Sequence, residues 1–200
     1  MIVLVRHAEA RGGEGRFIGS TDLPLSAAGR AQAGALAAAL APARPRAVFA
    51  SPLARAQDTA QPLAAALGLP VGALPGLAEI NLGAWEDQPR EAVRVADPAA
   101  YAARGRDFAH FRPPGGESFA QVQARALAAL DILARGPLPA VAVTHAGVIR
   151  AVLCHVLGMP LANLFRLDPL HAHATTLRPA AQGFALLGFN LPPAALAPRP

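Results

Sequence analysis

The sequence predicts an α/β layered fold with a largely parallel sheet, and two observations carry that prediction. Short, wholly apolar runs such as "IVLV" and "AVAV" read as strands buried on both faces. Between them lie segments of ten or more residues with helical composition, and strands alternating with such helices need crossovers that leave the strands parallel. The length of 200 residues suits one well-buried core and is short for two.

Residues 1–5 form the first predicted strand. A loop rich in glycine and charge follows, and "PLSAAGRAQAGALAAAL" reads as a helix with Ser26 as N-cap, closed after Leu40 by Pro42 and Pro45. "RAVFA" at 46–50 is the next strand. "SPLARAQDTAQPLAAALG" is a second helix, with Ser51 expected as cap, Pro52 at the first position, Gly68 as stop, and a kink or break at Pro62. A short strand falls near 70–74. From about 80 to 116 charge, proline and glycine recur without a clean period, which predicts loops and short helices inserted over one end of the sheet. Glu117 to Ala134 form a long helix, 140–145 a strand, "AGVIRAVLCHVLG" a helix ended by Gly158, and "LANLF" a short helical turn. Closing strands are expected near 173–177 and 184–189, making one domain over 1–190. Residues 191–200, rich in proline and alanine, are expected to be a loose tail.

Ligands of open α/β sheets bind beyond the carboxyl ends of the strands. Arg6 and His7 leave the first strand there, Arg55 lies in the first turn of the helix after the second, and His145 ends "AVAVT". Taken singly, each has an ordinary structural reading; Arg55, for instance, could pair with Asp58 along a helix face. Their common address makes the stronger case. Two guanidiniums and two imidazoles make an anion pocket suited to phosphate, since arginine engages two phosphate oxygens through its planar fork. A histidine held against a phosphoryl group can attack it in line and divide one displacement into two. Glu79, where the third strand empties into the cover segment, is the carboxylate expected to exchange the proton with the leaving oxygen and then with water.

The composition excludes several other functions. Every one of the 18 basic residues is arginine, scattered along the chain without interleaved aromatics, so the net charge of +5 does not describe a nucleic-acid surface. The alanine-rich run "AGALAAALA" is too short to span a membrane, and residues 1–5 lack the marks of a secretory signal, so a cytoplasmic location is expected. Cys154 is the only cysteine, which precludes an internal disulfide and any multi-cysteine metal site.

The ordered blocks "LVRHAEA", "RFIGSTDLPLSAAGRAQA", "VFASPLARAQDTA", "LAEINLGAWE", "PPGGESFAQVQAR" and "VTHAGVIRAVL" resemble the histidine phosphatase superfamily, also called phosphoglycerate mutase-like, over about residues 1–189. The resemblance implies a three-layer α/β/α sandwich with one antiparallel edge strand and no metal or other cofactor. It matches His7 to the phosphorylated histidine, Arg6, Arg55 and His145 to the rest of the phosphate pocket, and Glu79 to the acid/base. Gly19 and Ser20 are expected to touch substrate. Ala8 and Ala146 stand where the family usually has glycine, and Gly13 where many members place an asparagine on the phosphate; Ser20 is a candidate to compensate. The short, acidic stretch "AEINLGAWEDQPREAV" resembles phosphatases of small metabolites, and the "LGAWE" and "PPGGES" blocks resemble those acting on alpha-ribazole 5'-phosphate in cobalamin assembly. The implied partner is a small phosphorylated metabolite, for a monomer or homodimer. Phosphoglycerate mutase, a phosphatase of phosphohistidine proteins and a non-catalytic phosphate-binding protein remain as alternatives.

Overall fold

The computed structural model describes residues 1–196. Its centre is a six-stranded sheet of β1 (Ile2–Arg6), β2 (Ala47–Ala50), β3 (Val71–Ala73), β4 (Ala140–Thr144), β5 (Ala174–Pro179) and β6 (Phe184–Leu191), in the order β3-β2-β4-β1-β5-β6. β3, β2, β4 and β1 run parallel, while β5 is antiparallel to both of its neighbours. The apolar runs fall in the middle: β1 is buried from Ile2 to Val5 and β4 throughout.

Alternation along β1 separates the two cores, because successive side chains point to opposite faces. Val3 and Val5 pack with Leu36 of α1 (Ala27–Leu40) and Leu63 of α2 (Ala54–Leu67). Ile2 and Leu4 pack on the other face with Leu130 of α5 (Phe119–Arg135) and Leu153 of α6 (Ala146–Val156). The result is the three-layer α/β/α sandwich.

Local signals account for most boundaries. Ser26 Oγ accepts from the Gly29 amide at the start of α1. A reciprocal box between Ser118 and Gln121 starts α5 at Phe119, two residues into the predicted range. Gly68, at φ +65°, ends α2 with its amide bonded back to the last turn. Three expectations need correction. Ser51 does not cap α2: the N-cap is Leu53, with no side-chain bond, and Pro52 precedes the helix. Pro62 does not divide α2, which continues from Ala54 to Leu67. The loose tail does not begin at 191: Leu191 ends β6, 193–195 form a 3₁₀ turn, and Leu196 packs against the α1–α2 core, whereas 197–200 lie outside the described residues.

The insertion resolves into a 3₁₀ turn at Gly83–Trp85, α3 (Arg90–Ala96) and α4 (Pro98–Arg106). Trp85 anchors it, its ring 5.2 Å from Phe17 and 5.3 Å from Phe111. Its helices and Phe17 thus cover the carboxyl end of the sheet on the α5–α6 side.

Candidate active site

The central parallel strands end level with one another. Arg6 is in register with Thr144 and Ala50 with Val143. One residue later the His7 amide bonds the Thr144 carbonyl at 2.8 Å and the Ser51 amide bonds the Val143 carbonyl at 2.9 Å. Three side chains from three crossover units, His7, Ser51 and His145, therefore leave the sheet side by side.

The hydrogen bonds assign the imidazoles. Nδ1 of His7 lies 2.7 Å from the Ala8 carbonyl, which can only accept, so Nδ1 carries the proton and Nε2 keeps a free lone pair. Burial pushes the His7 pKa well below its ordinary value, with the Arg55 charge acting the same way, and the ring is neutral at pH 7. His145 is fully buried, its ring 5.1 Å from His7. Ser51 Oγ accepts from the Leu53 amide and so presents its proton to His145 Nε2 at 2.7 Å. That leaves His145 Nδ1–H as a donor. Burial, then the neighbouring His7, hold His145 neutral as well.

Arg55 is placed by carbonyls, with no carboxylate ion pair among the described residues: its terminal nitrogens donate to Thr21 and Gly19, each at 2.7 Å. Arg6 donates one terminal nitrogen to the Pro169 carbonyl at 2.7 Å. Burial lowers the pKa of both guanidiniums, opposed by Glu79, but both stay charged. Among the described residues, Arg6 Nε and His145 Nδ1 are the buried side-chain polar atoms without a hydrogen-bond partner. Both orphans are donors, and both belong to this cluster. Unpaired buried donors are costly, so two of them together mark a place completed by an acceptor.

Glu79 arrives from the segment after β3. Its Oε2 accepts from the Gly147 amide in the first turn of α6 at 3.0 Å and Oε1 from the Ile80 amide at 3.0 Å. Arg125 of α5 fixes that segment by donating to the carbonyls of Gly76, Ala78 and Glu79 while paired with Glu117. Two adjoining compartments open here. The inner one, about 390 Å³, is lined by Arg6, His7, Arg55, Glu79 and His171, among others; the outer, about 400 Å³, lies between the cover, at Tyr101 and Phe108, and the body, at Phe119 and Phe165. Glu79, Ile18, Arg90 and Arg150 line both.

The structure thus brings together Arg6, His7, Arg55, Glu79 and His145. Gly19 and Ser20 take a different place: neither lines either compartment. Gly19 offers its carbonyl to Arg55, and a Cβ there would meet the Ile80 carbonyl at 2.1 Å, while Ser20 Oγ donates to Glu86. Ser20 is therefore engaged elsewhere and does not stand in for an asparagine at position 13. Gly13 does line the inner compartment, where a Cβ would press on Ile18 Cγ1 at 3.1 Å.

Sequence reasoning missed Ser51, His171 and Glu86. Glu86 gathers the amides of Gly19, Ser20, Thr21 and Leu82 and the hydroxyls of Ser20 and Thr21, so it shapes the loop whose carbonyls hold Arg55. Burial alone would raise its pKa, but these bonds hold it below the ordinary value. His171 stands 5.2 Å from His7 and bonds the His7 carbonyl through Nδ1. No local pattern marks these residues, although Ser51 directly follows a predicted strand and could have been found there.

The sequence pattern of the histidine phosphatase superfamily (branch 1) matches residues 2–192. The chain belongs to this family. It is 37% identical over 172 residues to glucosyl-3-phosphoglycerate phosphatase of Mycolicibacterium vanbaalenii, covering 81% of this chain and 76% of that protein. Among solved structures, the alpha-ribazole phosphatase of Shigella flexneri superimposes with a TM-score of 0.86 at 26% identity, covering 94% and 95% of the two chains. The native mycobacterial glucosyl-3-phosphoglycerate phosphatase gives 0.84 at 31%, covering 95% and 98%. The histidine phosphatase fold is thus shared over nearly the whole chain. Among the described residues, no helix is long and apolar enough to cross a membrane.

Proposed function

We propose that this histidine phosphatase hydrolyses a phosphomonoester of a small metabolite through a phosphohistidine on His7. The observation that carries the reading is the pair of orphaned buried donors, Arg6 Nε and His145 Nδ1, beside an imidazole whose Nε2 is free. The phosphoryl group sits in the inner compartment, its oxygens taken by Arg6, Arg55 and His145. His7 Nε2 forms the N–P bond as the P–O bond to the alcohol breaks. Glu79, lining both compartments, protonates the leaving oxygen from its acid form. The His7 ring becomes cationic on phosphorylation, and its Nδ1–H bond to the Ala8 carbonyl is retained and strengthened. Water then attacks phosphorus, Glu79 takes its proton, the N–P bond breaks and inorganic phosphate leaves. The arginines stabilise charge that shifts onto the equatorial oxygens at each step.

The alcohol is chosen in the outer compartment. Alpha-ribazole 5'-phosphate and glucosyl-3-phosphoglycerate, for which the relatives above are named, are the first compounds to assay. With p-nitrophenyl phosphate in EDTA, wild-type chain is expected to turn over and quenched enzyme to carry acid-labile phosphate. His7→Ala is expected to remain folded and to lose at least about a thousandfold in rate, since the covalent route is gone. A mutant retaining a tenth of the rate, with no trapped phosphate in the wild type, refutes His7 as the nucleophile. Rapid interconversion of 2- and 3-phosphoglycerate with little free phosphate would make the enzyme a mutase instead.

A further inference from the structure

The inner compartment carries a third imidazole that the proposed chemistry leaves unused. His171 lies on the turn before β5, its ring 5.2 Å from that of His7. Nδ1 is 3.0 Å from the His7 carbonyl, which can only accept, so Nδ1 carries the proton and Nε2 keeps a lone pair. Among the described residues Nε2 has no hydrogen-bond partner, and it is not sealed in the interior. The ring lines the inner compartment.

The turn that presents His171 is tied to the backbone of the site itself. The Ala172 amide bonds the Arg6 carbonyl at 3.0 Å, and His173 Nδ1 donates to the His171 carbonyl at 2.9 Å. Ala172 is buried at φ +55°, a left-handed conformation that a residue with a Cβ rarely adopts and that persists only where the surroundings hold it. His171 could be no more than a clamp on the His7 carbonyl. A clamp needs one nitrogen, and this turn leaves a second nitrogen unpartnered at the wall of an anion pocket.

Burial, then the Arg6 charge, hold His171 below the ordinary histidine value; Arg55 acts the same way, Glu9 and the bond to His7 act against them, and the ring is neutral at pH 7. The other charged groups at the compartment are Arg16, Arg90 and Arg150 on one side of the balance and Glu14 and Glu79 on the other. A neutral Nε2 offers an anion only its lone pair, which repels. A dianion in the compartment offsets the arginines that oppose protonation and attracts the proton itself, so the repulsion can become a charge-assisted bond.

We propose that His171 is a further ligand of the phosphoryl group: as the dianion enters, Nε2 takes a proton from solvent and donates it to one of the anion's oxygens. No other bond forms or breaks. In-line attack puts the leaving oxygen opposite His7, so a ring beside His7 serves an equatorial oxygen. The inference rests on the phosphatase reading and deepens it.

The test uses sulfate, a tetrahedral dianion that carries no titratable proton near neutral pH, so any proton taken up on binding goes to the protein. Calorimetry in two buffers of different ionisation enthalpy counts those protons. Wild-type chain is expected to take up about half a proton per sulfate at pH 7 and to bind about fivefold more tightly at pH 6.5 than at pH 8. His171→Asn, whose amide can keep the bond to the His7 carbonyl, should take up less than about 0.1 proton, match wild type at pH 8 within about twofold and lose the pH dependence. Glu79→Gln should retain the uptake, which separates His171 from the carboxylate of the same compartment. Binding without proton uptake overturns the inference, as does uptake or pH dependence that survives in His171→Asn, which would leave only the clamp. Sulfate that fails to bind at pH 6.5 overturns it too. The phosphatase reading is judged apart, by turnover of p-nitrophenyl phosphate in EDTA.

Discussion

Gly147→Ala tests the position of Glu79, the proposed acid, directly. A Cβ at Gly147 would lie 2.3 Å from Glu79 Oε1, 3.0 Å from its Cδ and 3.1 Å from Phe119 Cε1, where ordinary contact begins at 3.4 Å. The backbone does not resist, since Gly147 already lies in α6 and alanine is the better helix former. Glu79 must give way by about 1 Å, and the bond from the Gly147 amide to Oε2 is lengthened or lost. A displacement of about 1 Å at a reacting group costs about a hundredfold in rate when that group's proton is needed. The leaving group decides whether it is. Sorbitol 6-phosphate releases an alkoxide that must be protonated as the bond breaks, whereas p-nitrophenolate leaves with little help. In single-turnover assays, Gly147→Ala is expected to slow the alkyl phosphate about 30- to 100-fold and the aryl phosphate less than about fivefold. Unfolding free energy should change by less than about 1 kcal/mol. Equal losses on both substrates, or an alkyl rate within threefold of wild type, would refute the placement of Glu79 as the proton donor.

Glu86→Ala removes the acceptor for donors converging from Gly19 to Thr21 and from Leu82. It is expected to cost on the order of 3 kcal/mol in urea unfolding and to lower kcat/KM, because the carbonyls that hold Arg55 lose their support; an unchanged urea midpoint would refute that role. The histidines set a pH dependence of stability. Burial and then Arg55 depress His7, and burial and then His7 depress His145, so the folded chain takes up these protons well below the ordinary value while the unfolded chain takes them up near 6.5. The unfolded state thus binds more protons in acid, and this stability is complete above about pH 7 and is lost as pH falls through 6.5 toward the folded values. A loss of about 1 kcal/mol per histidine is expected between pH 7 and 5.5. Glu86 and Glu117, whose carboxyls are held low, contribute in a more acidic range. Equal urea midpoints at pH 7 and 5.5 would show that neither ring is held neutral by the fold.

The most legible parts of the sequence were those governed by neighbours in the chain. "IVLV" and "AVAV" can only be central strands, and a residue that leaves such a strand at its carboxyl end has its address fixed by topology, which is why His7 and His145 could be named together. Ser26 and Gly68 were legible because capping is local. Ser51 resembled a cap for the same reason, yet its hydroxyl is engaged by His145, 94 residues away in sequence. Glu86 is likewise defined by a loop 65 to 67 residues earlier. In "AEINLGAWEDQPREAV" the composition suggested an acidic cover. The carboxylates Glu86 and Asp87 are turned to loop amides and to Arg16, so Glu79 and Arg90 are the charges of this stretch that meet the compartments. Net charge along a segment does not say which side chains face inward.

The position of β1 has a consequence for when the enzyme becomes active. Its two neighbours in the sheet are β4, which starts at Ala140, and β5, which starts at Ala174. β1 finds no partner before Ala140, so His7, the proposed nucleophile, is held in place late. Closing such distant pairs is slow, because the entropy of the intervening loop is lost before the contacts form. Helices α1 and α2 can pair locally in the meantime, and with them Arg55, proposed to face the phosphate, but a lone β1 leaves Arg6 and His7 on an unpaired strand. Catalytic competence in this molecule therefore reports closure of the sheet, not the folding of any one of its parts.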